Sequence, residues 1–155
     1  MFTFSDSIYI KAPRWQVSEF CANHANLPAW YGAIRSAELA PAGLLIAGSQ
    51  LRVQAGLLGV RFPFTCAVRQ YLPGYNLVLE AINNPFTLVT EMEWEEGADG
   101  RTLMTLRTSG GFPALPRPLA FVADLLMRVA LDRATIRNLA RLRRLLERTA
   151  GSLGM

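Results

Sequence analysis

Lysine occurs once in this chain, at Lys11, and histidine once, at His24. Cysteine occurs twice, at Cys21 and Cys66. Two cysteines provide neither a disulfide framework nor metal-ligand spacing, and one histidine makes no metal cluster. No metal and no cofactor are therefore expected. Isolated thiols fit a reducing cytoplasm, with the pairing of Cys21 and Cys66 left open. Charged residues make up only 18% of the chain, and no apolar run reaches the length of a membrane span. The run from Leu39 to Gly48 is too short, and Leu119 to Leu131 is interrupted by Asp124 and Arg128. The first residues lack a basic region followed by an apolar stretch, so no secretory leader is expected. There is also no glycine-rich phosphate loop and no serine in a nucleophile-elbow context.

What is present is apolar. Hydrophobic residues form 51% of 155 positions, which excludes disorder and gives one domain, 1–155. A chain of this size buries about 68–70% of its unfolded surface, enough for a full core or for one that also encloses a cavity. The net charge of +4 is carried almost wholly by arginine, with seven arginines between Arg128 and Arg148. That charge is modest and has no interleaved aromatics, which argues against nucleic acid.

Along the chain, Phe2, Phe4, Ile8 and Ile10 share one parity, which predicts a half-buried strand. Pro13 then opens a helix to about Ala22, because proline suits a first turn. A second short helical piece is expected around Asn26 to Tyr31. From Ile34 to Gly110 the pattern is strand and turn. The turns fall in a crossing from Pro41 to Gly48, then at Gly56–Gly59, Pro73-Gly74, Asn83-Asn84-Pro85 and Gly97–Gly100. Short strands joined by tight turns imply antiparallel pairing, and one apolar face implies a cover. The stiff segment from Gly110 to Pro118 leads into Leu119–Thr149, which contains no glycine or proline and is expected to be a long helix or two pieces in line. Leu119, Val122, Leu126, Val129, Ile136, Leu139, Leu142 and Leu146 are expected on its inner side.

This order, with Ile8 to Pro13, Val17, Phe20 and the Asn26-Leu-Pro-Ala-Trp30 spacing, resembles the START-related superfamily. Glu91 to Trp94, the Gly97–Gly100 turn and Thr102 to Leu106 add to the likeness, which covers nearly the whole chain. That superfamily includes polyketide cyclases, the birch-pollen-allergen group and ubiquinone-binding proteins. The resemblance implies an α+β helix-grip fold. A curved antiparallel sheet of about six or seven strands would wrap the C-terminal helix, with two short helices after the first strand. It also implies a cavity between sheet and helix.

The expected lining of that cavity is Trp30, Tyr31, Val53, Phe62, Phe64, Leu77, Leu79, Leu88, Thr90, Met92, Trp94, Met104, Leu106, Val122 and Leu126. Such a set fits an apolar pocket with few polar groups, and it equally fits a solid core. Trp30 reads best as a plug that anchors the helix to the sheet, and Tyr31 as either rim or plug. Thr90, Thr108 and Cys66 are the main polar members of the inward parity, while Glu80, Glu91, Glu93 and Glu95 point outward. Arg69 and Glu80 would turn inward only through a bulge.

The first functional reading is binding of a hydrophobic small molecule: a lipid, an isoprenoid or a polyketide-like ring. A cyclase or dehydratase acting in the same cavity is the alternative and needs polar groups converging on one wall. A third reading uses Arg133, Arg137, Arg141, Arg144 and Arg148 as a stripe that meets an anionic surface or partner. A solvated helix face is its bland counterpart.

Overall fold

A computed structural model describes residues 1–40, 42–57, 59–82 and 85–154. Pro41, Leu58, Asn83, Asn84 and Met155 lie outside the described residues, and with them most of the turn expected at Asn83-Asn84-Pro85. The strand β1 (Phe2–Ile10) is followed by α1 (Arg14–Ala22), a single 3-10 turn at His24–Asn26 and α2 (Leu27–Trp30). Six strands come next: β2 (Ile34–Ala40), β3 (Gln50–Leu57), β4 (Val60–Leu72), β5 (Asn76–Ile82), β6 (Thr87–Glu96) and β7 (Thr102–Gly111). The helix α3 (Arg117–Gly154) completes the chain. All seven strands form one antiparallel sheet in the order β1-β7-β6-β5-β4-β3-β2. The helix-grip architecture expected from the sequence is the one observed.

Local chemistry sets the joints. Pro13 caps α1 with φ −64°, and Pro28 lies in the first turn of α2. Gly74 turns β4 into β5 at φ +86°, where a side chain is disfavoured, and its N–H donates to Ser18 Oγ at 2.8 Å. That bond ties the hairpin to α1. Thr102 Oγ1 donates to the Ala12 carbonyl at 2.7 Å and fixes the end of β1 to the start of β7. A bulge at Arg69 inserts one residue between the pairs Val68–Leu79 and Gln70–Val78. The bulge leaves Arg69 outside, where Nε donates to Glu80 at 2.6 Å, and it brings Tyr71 against the core. The two residues that a bulge was expected to turn inward thus form a surface ion pair. Glu91 and Glu93 are also outward and share Arg107, at 3.3 and 3.6 Å.

Helix α3 is the single long helix that was one of the two expected forms, and it differs from expectation in two ways. It begins at Arg117 rather than Leu119, because Pro118 is tolerated in a first turn. Its inner side also changes along its length. Leu139, Leu142 and Leu146 are buried as expected, together with Thr135 and Asn138. Leu119, Val122, Leu126, Val129 and Ile136 stand exposed. In the first half, the more covered positions are Ala120, Ala123, Asp124, Met127, Leu131 and Ala134. Small side chains allow a helix backbone to approach a strand closely, and α3 packs chiefly on β1. Asp124 accepts an ion pair from the Met1 amino group at that contact. Apolar spacing alone could not show which side of the helix the small residues would draw inward.

Candidate functional site

Strand register arranges the inward side chains in rows. Phe4, Thr108, Thr90, Leu79 and Val68 form one row across five strands. On one side of it lie Leu106, Met92, Leu77 and Tyr71. On the other side, Gly110 pairs with Leu88, and Ala81 with Cys66, which in turn faces Leu51. The Gly110, Ala81 and Cys66 positions are small, so the sheet is shallowly stocked next to the threonine row. Phe62, Phe64 and Phe86 beyond them contact one another with ring centroids 6.0–6.3 Å apart.

Into this face α2 delivers Tyr31. Trp30 is fully buried, and its ring meets that of Tyr31 edge-on at 5.5 Å. The Trp30 carbonyl accepts from Arg141 Nη1 at 3.5 Å, and the Gly32 N–H donates to Asn138 Oδ1 at 3.0 Å. Helix α3 therefore holds α2 from above, and Trp30 acts as the plug. Arg141 is half-buried in this contact and does not join the exposed arginines.

The Tyr31 hydroxyl lies beside those of Thr108 and Thr90. Burial raises its pKa above the usual tyrosine value, and the two threonine hydroxyls offset this only partly. Thr108 is 1% exposed, yet its Oγ1 makes no hydrogen bond of ordinary geometry, even with Tyr31 as a neighbour. A buried hydroxyl without a partner is costly, and it marks a place where a ligand oxygen would be welcome. Cys66 is near the Tyr31 hydroxyl, and burial pushes its thiol up to about 12. The cluster of Tyr31, Thr90, Thr108 and Cys66 is thus uncharged at neutral pH. It can donate hydrogen bonds to a carbonyl or hydroxyl oxygen, and its two titratable members, Tyr31 and Cys66, hold their protons.

The remaining expected lining residues divide by depth. Val53, Leu77, Leu79, Met92, Trp94, Met104 and Leu106 are buried, whereas Phe62, Phe64 and Leu88 are half-buried. Val122 and Leu126 stand on the exposed side of α3. Parity found Thr90 and Thr108 but not their cross-strand pairing or the approach of Tyr31. It also missed Asp6, which has the parity of Phe2 and Phe4, pairs with Leu106 and is half-buried. Its place in the alternation was the available signal. His24 lies on the short turn before α2, away from these groups in sequence. Among the described residues, no group of three or more His, Cys, Asp or Glu is placed to hold a metal. No described helix is long and apolar enough to cross a membrane.

Cys21 is buried in the same core, and its thiol is also pushed up to about 12 by burial, which the nearby Trp94 indole offsets only partly. Both cysteines are free. Neither should react with a thiol reagent at pH 8 while the protein is folded, and both should react once it is unfolded. A raised folded pKa favours the protonated thiol. Stability should therefore be full below the ordinary value of 9.0 and fall as pH rises from there towards about 12. Urea denaturation at a series of alkaline pH values checks this. A midpoint that does not move in that window would contradict it.

Comparisons with known proteins agree with this fold. A family model described as polyketide cyclase/dehydrase and lipid transport matches residues 1–147. The Zhui aromatase/cyclase from Streptomyces sp. R1128 superposes with a TM-score of 0.82 at 14% identity, over 99% of this chain and 98% of that one. The di-domain ARO/CYC StfQ from the steffimycin biosynthetic pathway gives 0.77 at 14% identity, over 96% of this chain and 51% of that one. This chain thus spans about half of the two-domain protein. A Deinococcus radiodurans protein gives 0.66 at 15% identity, over 94% and 97% of the two chains. At these identities the structural likeness establishes the fold. No curated protein matches the sequence.

Proposed function

This chain belongs to the polyketide cyclase/dehydrase and lipid transport family, and from that premise we propose that it binds an apolar, oxygen-bearing small molecule between the concave sheet and α3. The observation that carries the reading is the unpartnered Thr108 hydroxyl, set with Thr90 and Tyr31 in an otherwise apolar face. Pockets of this kind use a few placed polar groups to orient a ligand whose bulk is held by apolar contact. The half-buried Phe62, Phe64 and Leu88 would meet the apolar part, and the hydroxyl cluster would meet an oxygen. Unpaired buried thiols accord with work in a reducing cytoplasm, and the single domain would be the whole binding unit.

The convergence of three hydroxyls also favours the enzymatic alternative. A flexible poly-carbonyl chain held by Tyr31, Thr90 and Thr108 would be oriented for ring closure, and orientation by itself lowers such barriers by several kcal/mol. With Tyr31 and Cys66 both protonated near pH 7, this site would act by hydrogen bonding and placement.

Native mass spectrometry of freshly purified protein, followed by organic extraction, tests the binding reading. A stoichiometric apolar adduct is expected. Thr108→Val should weaken its retention about tenfold while leaving the denaturation midpoint unchanged or raised, because the orphaned hydroxyl is removed. A clean mass, together with no uptake of any probe from a lipid, isoprenoid and aromatic-polyketide panel, would abolish the proposal.

A further inference from the structure

The first half of α3 carries a second feature that ligand binding between sheet and helix does not explain. Leu119, Val122, Leu126 and Val129 follow one another at steps of three and four, the spacing of a single helix face. All four are exposed, Leu126 by 65%, and Phe121 beside them is 71% exposed. Scattered exposed apolar residues are ordinary, but a continuous helical row of this size is not. The same face continues into Arg133, Arg137, Arg144 and Arg148, again at helical spacing, and all four arginines are exposed. One face of one helix is thus apolar in its first half and cationic in its second.

That gradient selects the occupant. A second copy of the chain packed parallel along α3 would bring arginine against arginine. Packed antiparallel, it would place arginines on leucines. Both arrangements are unfavourable, because like charges repel and a charge on an apolar face loses its water. A nucleic acid would use the arginines and leave the leucines bare. An anionic phospholipid surface meets both halves. Apolar side chains enter the acyl boundary, while arginines bury their stems and reach the phosphates.

We propose that this face of α3 docks on an anionic membrane surface, with the Leu119–Val129 half seated deeper than the arginine half. The protein would lie on the bilayer and not span it. The site is separate from the Tyr31–Thr90–Thr108 cluster, and its failure would leave that reading untouched.

Flotation with vesicles of phosphatidylcholine, with and without phosphatidylglycerol, tests the proposal. The purified chain should float with the anionic vesicles and remain below with neutral ones. Raising the salt to about 0.5 M should release most of it, as screening predicts. Phe121→Ser combined with Leu126→Ser should weaken partition by about tenfold or more. Each of Arg133→Gln and Arg137→Gln should weaken it about fivefold. All four positions are exposed, so the circular dichroism spectra should match that of the wild type. Trp15→Ser, on the exposed surface of α1, should leave flotation unchanged. Three outcomes would each overturn the proposal: no flotation with anionic vesicles, flotation insensitive to the α3 variants, or a solution dimer that Leu126→Ser converts to monomer.

Discussion

Replacing Trp30 by alanine is expected to cost about 3–5 kcal/mol of folding stability, a large part of what a domain of this size has. The ring is fully buried and packs edge-on against Tyr31, while its backbone carbonyl receives Arg141 from α3. Removing it empties the space beneath a helix only four residues long, Leu27–Trp30, which has little stability of its own. Trp30→Phe should behave differently. The indole Nε1 is buried without a hydrogen-bond partner, so the phenyl ring loses volume but also removes an unsatisfied donor. Its cost should stay below about 2 kcal/mol. Urea denaturation of the two variants measures the contrast. Equal losses would mean that the plug role is wrong. The same pair bears on function, since Trp30→Ala frees Tyr31 and should lower ligand retention more than Trp30→Phe does.

The second large effect is expected at Gly110. A Cβ there would lie 2.0 Å from the Thr87 carbonyl oxygen and 3.0 Å from the end of the Phe2 ring. The first neighbour is backbone and cannot rotate away. Gly110→Ala should therefore cost about 3 kcal/mol or more, and Gly110→Val should prevent accumulation of soluble protein. Gly111 is the matched control. Its added Cβ meets the Met1 Cα at 3.5 Å and Thr87 Oγ1 at 3.8 Å, which are ordinary contacts. Gly111→Ala should change stability by no more than about 1 kcal/mol. Denaturation midpoints for the two alanine variants decide the matter. Comparable values would show that the β6–β7 pairing relaxes around Gly110.

The strands were legible because their alternation is long and regular. Phe2, Ile10, Leu77, Leu79, Met92, Trp94, Met104 and Leu106 are buried as their parity requires. Pro13 and Pro73-Gly74 likewise sit where their backbone preferences put them. Rows across strands were not legible, because parity gives a face but not a register. Thr90 and Thr108 stand opposite each other only through the β6–β7 pairing. Tyr31 reaches them only through the way α3 presses α2 down. The first half of α3 was misread for a related reason. Leucines and valines at helical spacing describe an apolar face without saying what lies against it. Here the alanines face β1, and the apolar row faces outward.

The placement of β1 has a consequence for how the chain reaches this state. Strands β2 to β7 follow one another as neighbours, so each from β3 onward pairs with the strand just before it. β1 pairs only with β7, from Phe2 with Gly110 to Ile10 with Thr102. That is the most distant strand pairing in the sheet, and closing so long a loop is entropically slow. The meander should form early, with β1 docking late and α3 settling on it afterwards. Until then, the inner edge of β7 is open to another chain's strand, and that interval is where aggregation would compete with folding.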